Sequence, residues 1–231
     1  MHRITAICFD LDNTLWEVWP VIVRAEQLMY AFLADRFPRV VARYSVEALR
    51  LERDRIALDE PTMAYDFTYL RLASLRHCAQ AVGYEPATAD EVMTVFLRAR
   101  NDVTLYRDVR PALDDLRTRY RLLTLTNGNA DLRAIGLDHY FESCYSAREI
   151  GALKPDAAAF RHVLEATGLR GEQMLYVGDD PIADVHGSRN SGLQALWVNR
   201  NGAQWPAELG VRPLTVMHLG ELAPLLSAVA H

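Results

Sequence analysis

The chain contains 231 residues, of which 50% are hydrophobic, and it carries a formal net charge of −5 with an isoelectric point near 5.8. This length allows one large domain or a core with an insertion. The acidic balance argues against binding to a nucleic-acid duplex and provides no polybasic patch for a membrane surface. No apolar stretch approaches the ~20 residues of a membrane span. Three scattered cysteines and a charge close to the N-terminus favour a cytoplasmic protein without a signal peptide.

The first predicted element is a buried strand over residues 4–9, an apolar run that ends at Asp10. Asp12 follows two positions later, and residues i and i+2 of a strand point to the same face. At an effective dielectric near 20, two carboxylates on the same strand face, two residues apart, repel each other by roughly 2.4 kcal/mol. The sequence therefore predicts that Asp10 and Asp12 form a close acidic pair.

A block of about four helices is predicted for residues 17–103. Its four prolines recur at fairly regular intervals, and proline begins or ends helices while it is excluded from their interiors. Apolar residues recur at helical spacing in 21–37 and 65–82, and the mixed charges of 46–60 indicate a solvated helix face. The block thus interrupts the chain directly after the first strand.

From residue 104 onwards, short apolar runs alternate with helical patterns. The predicted strands cover 122–125, 143–146, 174–177 and 195–198, the predicted helices cover 111–119, 156–167 and 181–191, and a last strand and helix follow from residue 214. This alternation predicts an α/β fold with a doubly wound parallel sheet, to which residues 4–9 contribute a distant first strand.

Polar residues follow these strand ends or precede helices, at the edge where an open parallel sheet binds its ligands. They are acids, hydroxyls, loop amides and one lysine: Asp10, Asp12, Thr14, Thr126, Asn127, Gly128, Lys154, Asp179, Asp180 and Asp184. Acids around one crevice repel each other unless a cation is present or one acid stays protonated. Mg²⁺, before Ca²⁺, suits a few carboxylates completed by water. The hydroxyls, amides and lysine suit the oxygens of a phosphate group.

Four motifs in this order resemble the haloacid dehalogenase superfamily: DLDNT at 10–14, LLTLTNGN at 122–129, LKPD at 153–156 and GDDPIAD at 178–184. Together they span both ends of the predicted core. The resemblance implies a doubly wound catalytic core made of residues 1–16 and 104–231. It also implies that residues 17–103 are an all-helical cap of the C1 type, which closes over small substrates.

The resemblance assigns roles to the acids. Asp10 would be the nucleophile that forms an aspartyl-phosphate, and Asp12 would be the general acid and base, its proton affinity raised by the nearby Asp10. Mg²⁺ would be held by Asp10, the backbone carbonyl of Asp12 and Asp179. Either Asp184 or Asp180 would act on the metal through water.

The remaining motif residues would bind the phosphate group. Thr126 and Lys154 would stabilise the charge on the transferring phosphoryl group. Thr14 and Asn127 would complete the phosphate site.

Asp12 also bears on the type of reaction. The dehalogenases of the superfamily lack an acid at this position and need no metal, so the resemblance implies a Mg²⁺-dependent phosphatase. A dehalogenase or a phosphonate hydrolase on the same scaffold is the first alternative, although the phosphonate route resembles one that needs a cap lysine, which residues 17–103 lack. A non-catalytic phospho-acceptor similar to a response-regulator receiver is the second, although receivers are shorter and accept on an aspartate after the third strand.

A finer resemblance concerns residues 9–27, 126–141 and 178–200. These segments look like a bacterial branch of the superfamily that dephosphorylates flavin mononucleotide and the ribitylaminouracil phosphate of riboflavin synthesis. Nucleotides and sugar phosphates remain alternative substrates. Trp16 and Trp19 would either stack on a flat heterocycle or pack between core and cap. The expected partner is a small phosphate monoester, and the expected assembly is a monomer or homodimer.

Overall fold

The computed structural model describes residues 4–229; residues 1–3, 230 and 231, which the predicted core ranges include, lie outside the described residues. Within the described part, six strands form one sheet: Ala6–Phe9 (β1), Arg121–Thr126 (β2), Ser143–Ser146 (β3), Met174–Gly178 (β4), Gln194–Val198 (β5) and Leu214–Val216 (β6). Their order is β3-β2-β1-β4-β5-β6, and every neighbouring pair is parallel. The predicted α/β fold with a parallel sheet is therefore confirmed.

The chain divides into two compact units. The sheet unit comprises Met1–Glu17, Thr104–Gly128 and Leu132–His231, and the helical unit comprises Val18–Val103 with Asn129–Asp131. The short second segment of the helical unit is fastened by two hydrogen bonds. The Asn129 side-chain amide donates to the Thr68 hydroxyl at 3.1 Å, and the Asp131 amide donates to Asn101 Oδ1 at 2.9 Å.

The helical unit contains five α-helices among its described residues: Val18–Arg36 (α1), Pro38–Arg43 (α2), Val46–Asp59 (α3), Phe67–Ala81 (α4) and Thr88–Arg100 (α5). Apolar residues at spacings of three and four form its core, with Ala25, Met29 and Leu33 on α1 and Val92, Met93 and Phe96 on α5. The N-terminal ends of α3 and α4 are capped by Ser45 and Asp66, whose side chains accept backbone N–H groups.

Six further α-helices accompany the sheet within the described residues: Val109–Leu116 (α6), Leu132–Ile135 (α7), Ala147–Ile150 (α8), Ala157–Thr167 (α9), Gly187–Asn190 (α10) and Leu222–Val229 (α11). The single helix predicted for 181–191 is instead a π-helical turn, Pro181–His186, followed by α10. Helix α9 packs Ala159, Phe160 and Val163 into the same apolar cluster as β1, β2 and β4. None of the helices in the described part is long and apolar enough to cross a membrane.

Strand β1 occupies the position at which the order of the sheet reverses. The chain continues from β1 to β2 and β3 on one side, and then crosses to β4, β5 and β6 on the other. All four β1 residues are buried. The carboxyl ends of β1, β2 and β4 meet at the same edge, where a parallel sheet leaves a crevice at its switch point. The Asp10 amide donates to the Val177 carbonyl at 2.9 Å, which anchors the first residue after β1 at this edge.

Candidate active site

Three acids from separate motifs meet at the switch point. Asp10 follows β1, Asp179 follows β4, and Asp184 lies in the π-helical turn after β4. One carboxylate oxygen of each lies within 4.8 Å of the others. Asp10 and Asp184 are buried, with 7% and 1% of their surface exposed. The structure therefore gathers these three of the predicted acids into one cluster.

Lys154, the only lysine in the chain, places its ammonium against this cluster. Its Nζ donates to Asp10 Oδ1 and to Asp184 Oδ1, both at 2.7 Å. The Asn127 side chain holds the Lys154 backbone from both sides, because its Nδ2 donates to the Lys154 carbonyl at 2.9 Å and its Oδ1 accepts the Lys154 amide at 2.8 Å. Asn127 thus positions Lys154 in this structure, and its predicted phosphate contact stays a prediction.

The cluster carries more negative charge than one lysine balances. Burial, reinforced by the Asp184 and Asp179 carboxylates, raises the pKa of Asp10 well above its ordinary value, although the Lys154 ammonium opposes this. Burial together with Asp184 and Asp180 raises the pKa of Asp179 to about 7. Burial alone would lower the pKa of Lys154, but Asp10 and Asp184 reverse this effect and keep the ammonium charged.

Two threonines lie beside the acids. The Thr14 hydroxyl is fully buried between Asp10 Oδ2, at 3.4 Å, and Asp179 Oδ1, at 3.3 Å. Thr126 ends β2, and its hydroxyl accepts the Gly128 amide at 3.0 Å. Thr14 therefore orients two of the acids, Thr126 shapes the loop after β2, and the phosphate contacts predicted for both stay predictions.

Asp12 lies in the turn that follows β1. Strand β1 ends at Phe9, and the next residues form a tight turn in which Asn13 has a φ of 60°, so the two-residue alternation does not extend to Asp12. The carboxylates that raise the pKa of Asp10 are those of Asp184 and Asp179. The predicted close pairing of Asp10 with Asp12 stays a prediction.

Trp16 holds Asp12 within this turn. The Trp16 indole N–H donates to Asp12 Oδ1 at 2.9 Å, and the Trp16 carbonyl accepts the Asn13 amide at 2.6 Å. Trp16 is fully buried, so no face of its ring is exposed for a heterocycle to stack on. This burial speaks against stacking on a substrate, and the predicted packing of Trp16 between core and cap stays a prediction. Trp19, on α1, is 62% exposed, and its predicted contact with substrate stays a prediction.

Asp180 and Asp184 have different surroundings. The Asp180 carboxylate accepts the Ile182 and Ala183 amides at 2.7 and 2.8 Å and so caps the π-helical turn. Asp184 Oδ2 accepts the Asp180 amide at 2.9 Å, while Oδ1 receives Lys154. A Cβ at Gly178 would lie 2.2 Å from Asp184 Oδ2, so glycine at this position is what admits the Asp184 carboxylate. The geometry favours Asp184 over Asp180 as the acid that joins Asp10 and Asp179.

Three residues of this region were missed by the sequence analysis. Tyr176, buried in β4, connects Lys154 to the Leu125 carbonyl through its hydroxyl. Trp197 of β5 donates its indole N–H to the Asp179 carbonyl at 2.7 Å. Arg200 donates to the Thr14 carbonyl at 2.9 Å and pairs with Asp108.

A hydroxyl or indole inside an apolar run must find a partner when buried, and that rule could have singled out Tyr176 and Trp197.

The donor set suits a hard divalent cation. The three clustered side chains offer only carboxylate oxygens, which Mg²⁺ and Ca²⁺ prefer. Burial first, and then the neighbouring carboxylates, raise the pKa values of Asp10 and Asp179, and a cation at the cluster would oppose this rise. Such a cation would also favour the ionised form of Asp10, which a nucleophile requires.

Similarity to known proteins agrees with this site. A family model described as haloacid dehalogenase-like hydrolase matches residues 4–192. The 5-amino-6-(5-phospho-D-ribitylamino)uracil phosphatase YigB of Escherichia coli (strain K12) is 29% identical over 233 residues, covering 99% of this chain and 98% of YigB.

Two solved structures extend the comparison. A 2-haloacid dehalogenase from Pseudomonas syringae pv. tomato DC3000 superposes with a TM-score of 0.92 at 33% identity, covering 99% of this chain and 100% of the other. The HAD-hydrolase YfnB of Bacillus subtilis, solved bound to magnesium, shares the fold at a TM-score of 0.66 and 20% identity, covering 97% of this chain and 99% of the other. A non-catalytic receiver is thereby set aside. The chain belongs to the haloacid dehalogenase-like hydrolases.

Proposed function

We propose that this hydrolase is a Mg²⁺-dependent phosphomonoesterase that acts on a small phosphorylated metabolite. The observation that carries the proposal is a second acid in the loop that follows the nucleophile: Asp12, fixed by the Trp16 indole. A halide leaves as a stable anion and needs no proton. An alkoxide leaving from a phosphate monoester does need one, and a positioned acid supplies it.

The proposed reaction has two steps. In the first, Asp10 attacks phosphorus, the bond from phosphorus to the alcohol oxygen breaks, and Asp12 gives its proton to the leaving oxygen. In the second, Asp12 takes a proton from water, the water oxygen attacks phosphorus, and the bond from phosphorus to the Asp10 oxygen breaks, which releases phosphate and restores the Asp10 carboxylate. Lys154 and Thr126 stabilise the charge on the transferring group.

Mg²⁺ would be held by Asp10, Asp179 and the backbone carbonyl of Asp12, with Asp184 acting through water. The bound ion would neutralise charge on the phosphoryl oxygens. Asp184 is already engaged by Lys154 and by the Asp180 amide, which is consistent with an indirect role.

The proposed substrates follow from the likeness to the ribitylaminouracil phosphatase, which extends over almost the whole chain. Flavin mononucleotide and ribitylaminouracil phosphate are the first candidates, followed by nucleotides and sugar phosphates, and the first two would place the enzyme in riboflavin metabolism. We propose that the helical unit acts as the substrate-selecting cap, that the enzyme is cytoplasmic, and that it is a monomer or homodimer.

The test is a Mg²⁺-dependent screen over these phosphates and p-nitrophenyl phosphate, ranked by kcat/KM, with a chelator-treated sample beside each. The proposal predicts hydrolysis that disappears with the chelator and returns with Mg²⁺. It is contradicted if no phosphate monoester is hydrolysed, or if hydrolysis is unchanged by complete metal removal.

A dehalogenase is the second candidate, because the structure from Pseudomonas syringae that superposes so closely is described as a 2-haloacid dehalogenase. It predicts halide release from 2-chloropropionate that persists in the chelator. Halide release without phosphatase activity would favour this candidate over the phosphatase.

A further inference from the structure

Tyr176 stands out because a tyrosine hydroxyl lies in the apolar centre of the sheet unit. Its side chain is 1% exposed within the cluster of β1, β2, β4 and α9. The hydroxyl lies 2.7 Å from Lys154 Nζ and 2.7 Å from the Leu125 carbonyl oxygen. The Phe160 ring packs edge-on against the Tyr176 ring, with centroids 5.3 Å apart, and fixes the ring plane.

The two partners at 2.7 Å indicate the orientation of this hydroxyl. A backbone carbonyl can only accept a hydrogen bond, and an ammonium can only donate. The single phenolic proton therefore goes to the Leu125 carbonyl, and an oxygen lone pair faces Lys154. Tyr176 is thus held as an acceptor for the lysine.

This acceptor completes the coordination of the ammonium. Lys154 Nζ has three protons, and its three acceptors are Asp10 Oδ1, Asp184 Oδ1 and the Tyr176 oxygen, each at 2.7 Å. Two of these acceptors are acids and the third is neutral. A third carboxylate would add negative charge beside an anionic phosphate, whereas a phenol orients the ammonium without doing so.

The Leu125 carbonyl, the second partner of the Tyr176 hydroxyl, also belongs to the site. Leu125 directly precedes Thr126 at the end of β2, and Asn127 holds the Lys154 backbone. The Tyr176 hydroxyl therefore connects the ammonium of Lys154 to the main chain that carries Thr126.

We propose that Tyr176 is a positioning residue that sets the Lys154 ammonium against Asp10 and against the end of β2, so that the transferring phosphoryl group meets a correctly placed positive charge. This role rests on the proposed phosphatase function. It goes beyond that function because Tyr176 belongs to none of the four motifs.

The first test is Tyr176→Phe, which keeps the ring and its packing on Phe160 and removes only the hydroxyl. We expect kcat to fall about tenfold to hundredfold, the range for one lost hydrogen bond to a charged group, with KM changed less than about threefold. The fall should be equal for p-nitrophenyl phosphate and for an alkyl phosphate, because the lysine stabilises the phosphoryl group and not the leaving oxygen. Wild-type kcat in Y176F overturns the proposal.

A matched control is Tyr145→Phe. Tyr145 pairs with Leu125 in the β2–β3 register, but its ring packs against His162, 5.7 Å away between centroids. Y145F should keep wild-type kcat. An equal loss of kcat in Y145F and Y176F would show a general effect of disturbing the sheet and would overturn the specific role.

The second test does not depend on turnover. Because Lys154 is the only lysine, incorporation of ¹⁵N-ζ-lysine gives a single side-chain ammonium signal in NMR spectra. The wild type should show a signal protected from exchange with water, and Y176F should shift it and speed its exchange. A wild-type signal that exchanges like free lysine, or an identical signal in Y176F, overturns the role of Tyr176. Absence of phosphatase activity in the wild type would instead contradict the proposed function.

Discussion

The two acids of the DLDNT motif lie two residues apart, yet their surroundings differ in kind. Asp10 is buried among charged groups: it pairs with Lys154 and faces Asp179 and Asp184. Asp12 is only partly buried and is held by a neutral donor, the Trp16 indole. The surroundings of Asp10 therefore control charge, as the proposed nucleophile and cation require, while those of Asp12 control orientation, as the proposed proton donor requires.

The largest effect is expected at Asp10, the acid with charged surroundings. Asp10→Asn keeps the side-chain volume and an oxygen that can accept from Lys154 but removes the proposed nucleophile. We expect kcat to fall by at least about 10³-fold, with little change in melting temperature. Steady-state assays and thermal melts measure both. Residual activity within tenfold of wild type would mean that another group attacks phosphorus.

A smaller and more selective effect is expected at Trp16, which orients Asp12. Trp16→Phe removes the indole N–H that fixes Asp12, and we expect about a tenfold loss of kcat/KM for alkyl phosphates. The same variant should lose less with p-nitrophenyl phosphate, because nitrophenolate leaves without needing a full proton transfer. The ratio of the two rates within one protein sample serves as an internal control. Equal losses on both substrates would assign Trp16 to packing alone.

The smallest expected effect is on thermal stability, and it is measured without any substrate. It distinguishes the charged surroundings of Asp10 from those of Asp12. The pKa of Asp179 is raised to about 7, so the metal-free fold holds that proton more tightly than the unfolded chain does. The stability contributed by this proton is complete below the ordinary pKa of about 4 and is lost as the pH rises towards about 7. Mg²⁺ binds the ionised acids, so it should raise the melting temperature by a few degrees at pH 8 and hardly at all at pH 5.

Two variants separate the acid cluster from Asp12 in this response to Mg²⁺. Asp179→Asn should abolish the Mg²⁺-dependent shift, because it removes a carboxylate from the cluster. Asp12→Asn should retain it, because only the backbone carbonyl of Asp12 is proposed as a ligand. A shift of equal size at pH 5 and pH 8 would contradict the assignment of the cation to this cluster.

The sheet and most of the strand-end residues could be predicted from sequence because both depend on simple patterns. Apolar runs mark β1, β2, β4 and β5 to within two residues at either end, and the parallel arrangement brings their carboxyl ends together. The convergence of Asp10, Lys154, Asp179 and Asp184 follows from that topology.

The finer geometry could not be predicted because it depends on features that periodicity does not encode. The turn after β1, in which Asn13 has a left-handed backbone, brings Asp12 Oδ1 to the Trp16 indole. Tyr176 lies inside an apolar run, and the pattern shows that its hydroxyl needs a partner but not that this partner is Lys154. Hydrogen bonds between side chains decide both cases, and hydrophobic periodicity does not encode them.

The most direct test of the division between Asp10 and Asp12 is mass spectrometry of acid-quenched Asp12→Asn enzyme mixed with p-nitrophenyl phosphate and Mg²⁺. This substrate lets the first step proceed without a strong acid, while hydrolysis of the intermediate still needs Asp12 as a base. We predict that one phosphoryl group accumulates on the peptide that contains Asp10. A phosphoryl group on any other residue would contradict this division of roles between Asp10 and Asp12. Turnover of D12N at the wild-type rate without any phosphorylated peptide would contradict it as well.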